Sequence, residues 1–186
     1  SKLTDPNTGT AGVDGTSTVS KKLYFQPTDI NEAPGFSGLD ATPTFVQGGP
    51  AIVLDANALL SDAELDLSGA SGNWSGAVLT LQRDGGANAG DKFGFTGSGS
   101  TGVNVSGSAL RIGIIVVGTL SNSGGTLTIT FNGAATAARV DQVLQAITYQ
   151  NTEASPGGSV RINYTIDDQN PNTGGSGTAG SGQDQG

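Results

Sequence analysis

Apolar and polar residues alternate with a period of two along much of the chain. In Leu127-Thr128-Ile129-Thr130-Phe131 and in Val160-Arg161-Ile162-Asn163-Tyr164-Thr165-Ile166 the apolar side chains take one face and the polar ones the other. That is the pattern of antiparallel strands with one face on a core and one in water. Further strands are predicted over residues 43–46, 51–54, 77–82, 92–96, 103–106, 109–112 and 114–120, separated by clusters of Gly, Ser and Asn that supply the turns of a sandwich. One stretch breaks the alternation. Residues 136–145 are alanine-rich, and Val140, Val143, Leu144 and Ile147 fall at helical spacing, which predicts one short helix over about 136–147, with Thr136 as its N-cap, crossing between two strands. Tyr149 follows at the start of the next connection, where packing with a satisfied hydroxyl is its expected role. The fold class is therefore all-β, an antiparallel β-sandwich with one short helix.

Composition narrows the chemistry. The 186 residues contain no Cys, Met or His and one Trp, so thiolate and imidazole chemistry are absent and any metal must be held by oxygen, which favours hard cations such as calcium. Sixteen acidic against eight basic residues give a net charge of −8, which repels a phosphate backbone and argues against nucleic acid as a partner. Thirty-one glycines suit strands and turns rather than long helices. No apolar run is long enough to span a bilayer as a helix. No signal peptide begins at Ser1, which predicts a mature piece or an excised segment of something longer.

The two ends resemble each other. Pro6-Asn7-Thr8-Gly9 returns as Pro171-Asn172-Thr173-Gly174 at an offset of 165 residues, and Gly9-Thr10-Ala11-Gly12 returns as Gly177-Thr178-Ala179-Gly180 at an offset of 168. A tandem array explains this, as does coincidence in low-complexity text. On the array reading, residues 1–34 are an arm and linker carrying the end of a preceding copy, 35–170 are the sandwich, and 171–186 are a flexible Gly/Ser-rich tail. The arm holds a strong strand candidate at 18–28, Thr18-Val19-Ser20-Lys21-Lys22-Leu23-Tyr24-Phe25-Gln26 leading into Pro27, placed to complete its own sandwich or a neighbouring one.

Acidic residues gather in three places. Asp29-Ile30-Asn31-Glu32-Ala33-Pro34 forms the linker, Asp62, Glu64 and Asp66 share one predicted turn, and Asp167 and Asp168 end the strand at Ile166. Aspartate and asparagine are favoured in turns for their own sake. Alternate carboxylates on a turn can also converge on one cation, and calcium takes six to eight oxygens of the kind these loops supply. Asp29, Asn31, Glu32, Asp62, Glu64, Asp66, Asp167 and Asp168 are the candidate calcium ligands.

The linker Asp29 to Pro34 resembles the inter-repeat linker of cadherin-like modules, in which an acidic residue, a spacer, asparagine and a second acidic residue precede alanine-proline. Leu60 to Leu81, an acidic turn followed by Gly76-Ala77-Val78-Leu79-Thr80-Leu81, is similar to tandem repeats of giant bacterial surface adhesins, as is Val140 to Asn151 with its ending Ile147-Thr148-Tyr149-Gln150-Asn151. The resemblance covers roughly residues 29–170. It implies an immunoglobulin- or cadherin-like sandwich, calcium at the junctions with Asp29, Asn31 and Glu32 among its ligands, and an extracellular location on a bacterial cell surface. Glu32 stands where aspartate is usual after the asparagine. The glycine-rich nonapeptide of calcium β-rolls is missing, because Gly174-Gly175-Ser176-Gly177 carries no aspartate at the required place.

The expected function is a secreted structural or adhesive repeat module stiffened by calcium, with neighbouring copies of itself as partners and a cell-surface or glycan ligand as a further one. The alternative is a filament subunit that donates its N-terminal strand to a neighbour. A carbohydrate-binding module comes third, because it needs an aromatic platform and Trp74 is the lone tryptophan, expected to pack in the core or at its rim. No nucleophile elbow, phosphate loop or metal-hydrolase motif occurs, so the chain does not read as an enzyme. Asn73, Asn104 and Asn163 open glycosylation triplets, which arise readily by chance. Asp5-Pro6 is expected to be an ordinary turn.

Overall fold

A computed structural model describes residues 32–97, 102–153, 158–169 and, for the backbone, 181–185. The larger layer is a seven-stranded antiparallel sheet. It is built from β4 (Val78–Arg83), β6 (Val103–Ser106), β7 (Ala109–Ile112), β8 (Ile115–Ser123), β9 (Thr126–Phe131), β11 (Ile162–Asp167) and β12 (Ser181–Gln185), in the order β12-β11-β4-β9-β8-β7-β6. The two most regular stretches of the sequence lie near its centre. Leu81 sits across from Tyr164 on one side and Leu127 on the other, and Leu79 likewise across from Ile166 and Ile129. Residues opposite one another in a ladder share a face, so these six side chains form one buried apolar surface.

The opposing layer is a three-stranded sheet, β2 (Ile52–Val53), β10 (Ile147–Asn151) and β5 (Asp91–Phe95), ordered β2-β10-β5. A separate two-stranded ribbon pairs β1 (Gly35–Ser37) with β3 (Leu59–Ser61). Trp74, Val117, Val140, Leu144 and Ile147 fill the space between the layers, each almost wholly buried. At Gly118 the neighbouring β9 backbone comes so close that a Cβ would run into the Thr130 carbonyl oxygen, so only glycine serves in this strand.

The all-β sandwich predicted from alternation is the fold observed, with two differences in its helices. The predicted helix is α2 (Ala137–Gln145), with Val140, Val143 and Leu144 buried; Thr136 holds the N-cap position without a side-chain hydrogen bond. It stops two residues short of Ile147, which opens β10 instead. The second helix, α1 (Ala63–Leu67), occupies the acidic segment read as a turn.

The strands differ in several places, and β1, β3 and β10 form where none was predicted. Residues 43–46 form no strand; Phe45 alone turns inward, its ring edge-on to Tyr149 at 5.4 Å between centroids, while Val46 is exposed. Tyr149 lies within β10, not in a connection. Residues 181–185, within the predicted tail, form β12, paired with β11. Asp29, Asn31 and the strand predicted at 18–28 lie outside the described residues.

Candidate functional site

The acidic end of the sandwich is organised by Asp62. It is the N-cap of α1, and its Oδ1 accepts from the backbone N–H groups of Glu64 at 2.9 Å and Leu65 at 2.7 Å, as expected for an aspartate that satisfies the free donors of a first helical turn. The Asp62 N–H donates in return to Asp66 Oδ2 at 3.0 Å, and Asp66 Oδ1 accepts from the Trp74 indole N–H at 2.9 Å. Both oxygens of Asp66 are thus committed, and the lone tryptophan is tied directly to the acidic segment. Trp74 is fully buried, so it offers no stacking platform for sugar.

Asp62 itself is 4% exposed, and its second oxygen, Oδ2, is buried without a hydrogen-bond partner. Burial pushes its carboxyl above the ordinary range, and the charges of Glu64 and Asp168 push it further, against the lowering effect of its two backbone hydrogen bonds. Asp168 is likewise buried. Asp62 therefore feels the charges of Glu64 on α1 and of Asp168 just beyond β11, and a cation beside it would relieve both its desolvation and that repulsion.

Next to them a shallow recess of about 500 Å³ is lined by Glu32, Ala33, Ser61, Asp62, Asp66 and Leu67. Glu32, the last residue of the acidic linker, is exposed there. Folding thus gathers Glu32, Asp62, Glu64, Asp66 and Asp168 at one end of the sandwich. Asp167 belongs elsewhere: it is half-buried on the other face of β11, and its Oδ1 accepts from the Gln169 N–H at 2.9 Å. Among the described residues no three carboxylates converge closely enough to hold a metal on their own. Calcium also accepts backbone carbonyls, amide oxygens and water.

A second polar centre escaped the reading of the sequence. Asp91 on β5 is 1% exposed. It receives Arg83 Nε at 2.8 Å and Nη2 at 2.6 Å, the Tyr149 hydroxyl at 2.6 Å and Asn151 Nδ2 at 2.7 Å. Burial alone would raise the Asp91 carboxyl, but these hydrogen bonds outweigh it and hold the group below the ordinary carboxylate range. Every oxygen of Asp91 is used, so the network joins β4, β5 and β10 and has no capacity left for a ligand.

Asp55 is also consumed internally. Its Oδ1 accepts from the Asn57 and Ala58 N–H groups and its Oδ2 from those of Asp40 and Ala41. Asp62 differs from Asp55 and Asp91 in keeping one buried oxygen, Oδ2, without a hydrogen bond. No protein-family model matches the chain, and neither a curated protein nor a solved structure is similar to it.

Proposed function

We propose that the chain is an extracellular structural or adhesive module of a long bacterial surface protein, and that calcium bound at its acidic end stiffens the junction with the preceding module. The observation that carries this reading is Asp62 Oδ2, a carboxylate oxygen buried without a hydrogen bond in the field of Glu64 and Asp168. An oxygen in that position is costly for the protein alone and well suited to a hard cation. Glu32 on the rim extends the same oxygen-rich surface, and Asp29 and Asn31 precede it in the sequence.

The remaining features fit a module that binds and connects. The absence of His and Cys from the sequence leaves calcium as the cation these residues suit best. Its partners are copies of the same module and a surface or glycan ligand, and catalysis is no part of the reading. Thermal unfolding of the full chain after thorough chelation, repeated with millimolar calcium, tests it. A ligand at one hundred times its Kd adds about 2.7 kcal/mol, so the midpoint should rise with calcium and fall back with chelator. An unchanged midpoint would count against the proposal.

A further inference from the structure

The outer edge of β11 is closed by a strand whose composition does not suit its position. β12 pairs with β11 so that Gly182 stands across from Ile166 and Asp184 across from Tyr164. Ile166 and Tyr164 are the core-facing residues of β11, 0% and 3% exposed. Residues directly opposite in an antiparallel ladder share a face, so the two positions that ought to close the core on this side hold a glycine and an aspartate. Ser181-Gly182-Gln183-Asp184-Gln185 contains no apolar residue.

The core is open on the same side. A cleft of about 320 Å³ lies between β11 and the edge of the smaller sheet, lined among others by Leu39, Phe45, Ile52, Leu54, Ile162 and Tyr164. Here the three-stranded sheet ends in β2, only two residues long.

We infer that this slot is an acceptor for the segment Lys22 to Gln26 of a second copy of the chain, which displaces β12 and adds its own strand to β11. The fit can be read residue by residue. With Lys22 to Gln26 in the register now held by Ser181 to Gln185, Leu23 lies across from Ile166 and Phe25 across from Tyr164, which lines the cleft, so two large apolar residues take the positions of a glycine and an aspartate on the core-facing side. On the opposite face Tyr24 lies across from Thr165 and Gln26 across from Asn163. Lys22 falls across from Asp167, and Lys21 next to it across from Asp168. Lys21-Lys22 is the only pair of adjacent basic residues in the sequence, and in this register it meets the adjacent pair of acids at the end of β11. Opposite charges directly across a ladder stabilise it.

Strand direction fixes how the two copies are arranged. β12 runs antiparallel to β11, from Asp167 toward Asn163, and Asp168 adjoins the Asp62 end of the sandwich. A donated segment therefore leaves the acceptor at the end away from its Glu32 and Asp62. The donor's sandwich follows there, so copies join head to tail, a heterologous contact that extends rather than closes. β12 has the advantage of being tethered to its own β11; the donated segment has the advantage of apolar burial and charge pairing.

The sequence contains no cysteine, which makes cross-linking clean. Full-length Asn163→Cys and full-length Gln26→Cys are mixed and oxidised, with calcium and again with chelator. A covalent dimer in either condition is expected, and Leu23→Asp with Phe25→Asp in the Gln26→Cys chain should lower its yield at least tenfold. Sedimentation of the cysteine-free chain gives a second readout that needs no new side chain at Asn163: it should self-associate as concentration rises, and its Leu23→Asp/Phe25→Asp variant should remain monomeric. The inference is overturned if no dimer forms, if the double aspartate variant cross-links equally well, or if the two cysteines placed in one chain close within that chain. A monomer at every concentration overturns it as well.

Discussion

The Tyr149 hydroxyl donates to Asp91 Oδ1 at 2.6 Å, linking β10 to β5 inside the sandwich where neither side chain reaches solvent. Arg83 grips the same carboxylate with two nitrogens from β4, so one buried charge ties both sheets. Removing one partner of such a pair leaves the other desolvated. Asp91→Asn should cost about 3 kcal/mol of stability and Tyr149→Phe about 1 kcal/mol, measured by urea unfolding.

Acid should act on this network and on Asp62 in opposite senses. The Asp91 carboxyl is held below its ordinary value, so the stability it contributes is present above the ordinary carboxylate range and is lost as pH falls through the lowered folded value. The Asp62 carboxyl is raised, so its ionised form costs stability above the folded value, and acid relieves that cost. Chelated Asp62→Asn protein should therefore be at least as stable as wild type at neutral pH and show a weaker gain on mild acidification. Asparagine keeps the oxygen that caps α1. Unfolding midpoints of the two proteins between about pH 3 and 7 provide the check.

Gly118 predicts a steric effect. Its missing Cβ is what lets β8 approach the Thr130 carbonyl on β9. Gly118→Ala should cost about 1–3 kcal/mol by overpacking the centre of the larger sheet. Calorimetric unfolding of this variant beside Gly133→Ala, where a Cβ meets nothing nearby, isolates the clash from a general effect of replacing glycine.

The lone tryptophan supplies an optical reporter. Trp74 is fully buried and its indole donates to Asp66, which in turn accepts from the Asp62 N–H. Its emission should be that of an apolar site and resist acrylamide quenching. Calcium entering beside Asp62 should change its intensity, while Asp62→Asn should remove that response. A fluorescence titration reads both.

Much of the fold was legible because half-buried strands write their burial into alternation. β9 and β11 follow it residue by residue, with burial patterns that rise and fall with a period of two. β10 was missed because Ile147, its first residue, falls at the helical spacing of α2 and was read as part of that helix, although Ile147-Thr148-Tyr149-Gln150 alternates. Residues 43–46 misled because Thr44, Phe45 and Val46 are strand-favouring residue types, yet only Phe45 turns toward the core. The helix α1 has only five residues, too few for a period, although Asp62 three residues before Leu65 is a capping signal in hindsight.

The candidate site was legible in its residue types and only partly in its geometry. The sequence placed Asp62, Glu64 and Asp66 together because they are close along the chain. That Asp168 joins them while Asp167 points away depends on which face of β11 each takes. The Asp66–Trp74 hydrogen bond depends on how the chain returns after α1. The network around Asp91 brings β4, β5 and β10 together from distant positions, and one sequence offers no means of pairing them.

Isothermal titration of calcium into the chelated full chain, with the Asp62→Asn variant measured beside it, bears most directly on the account. Saturable binding by the wild type and its loss or marked weakening in the variant is the predicted result. Equal binding by both proteins, or heat no larger than dilution in the wild type, would contradict it.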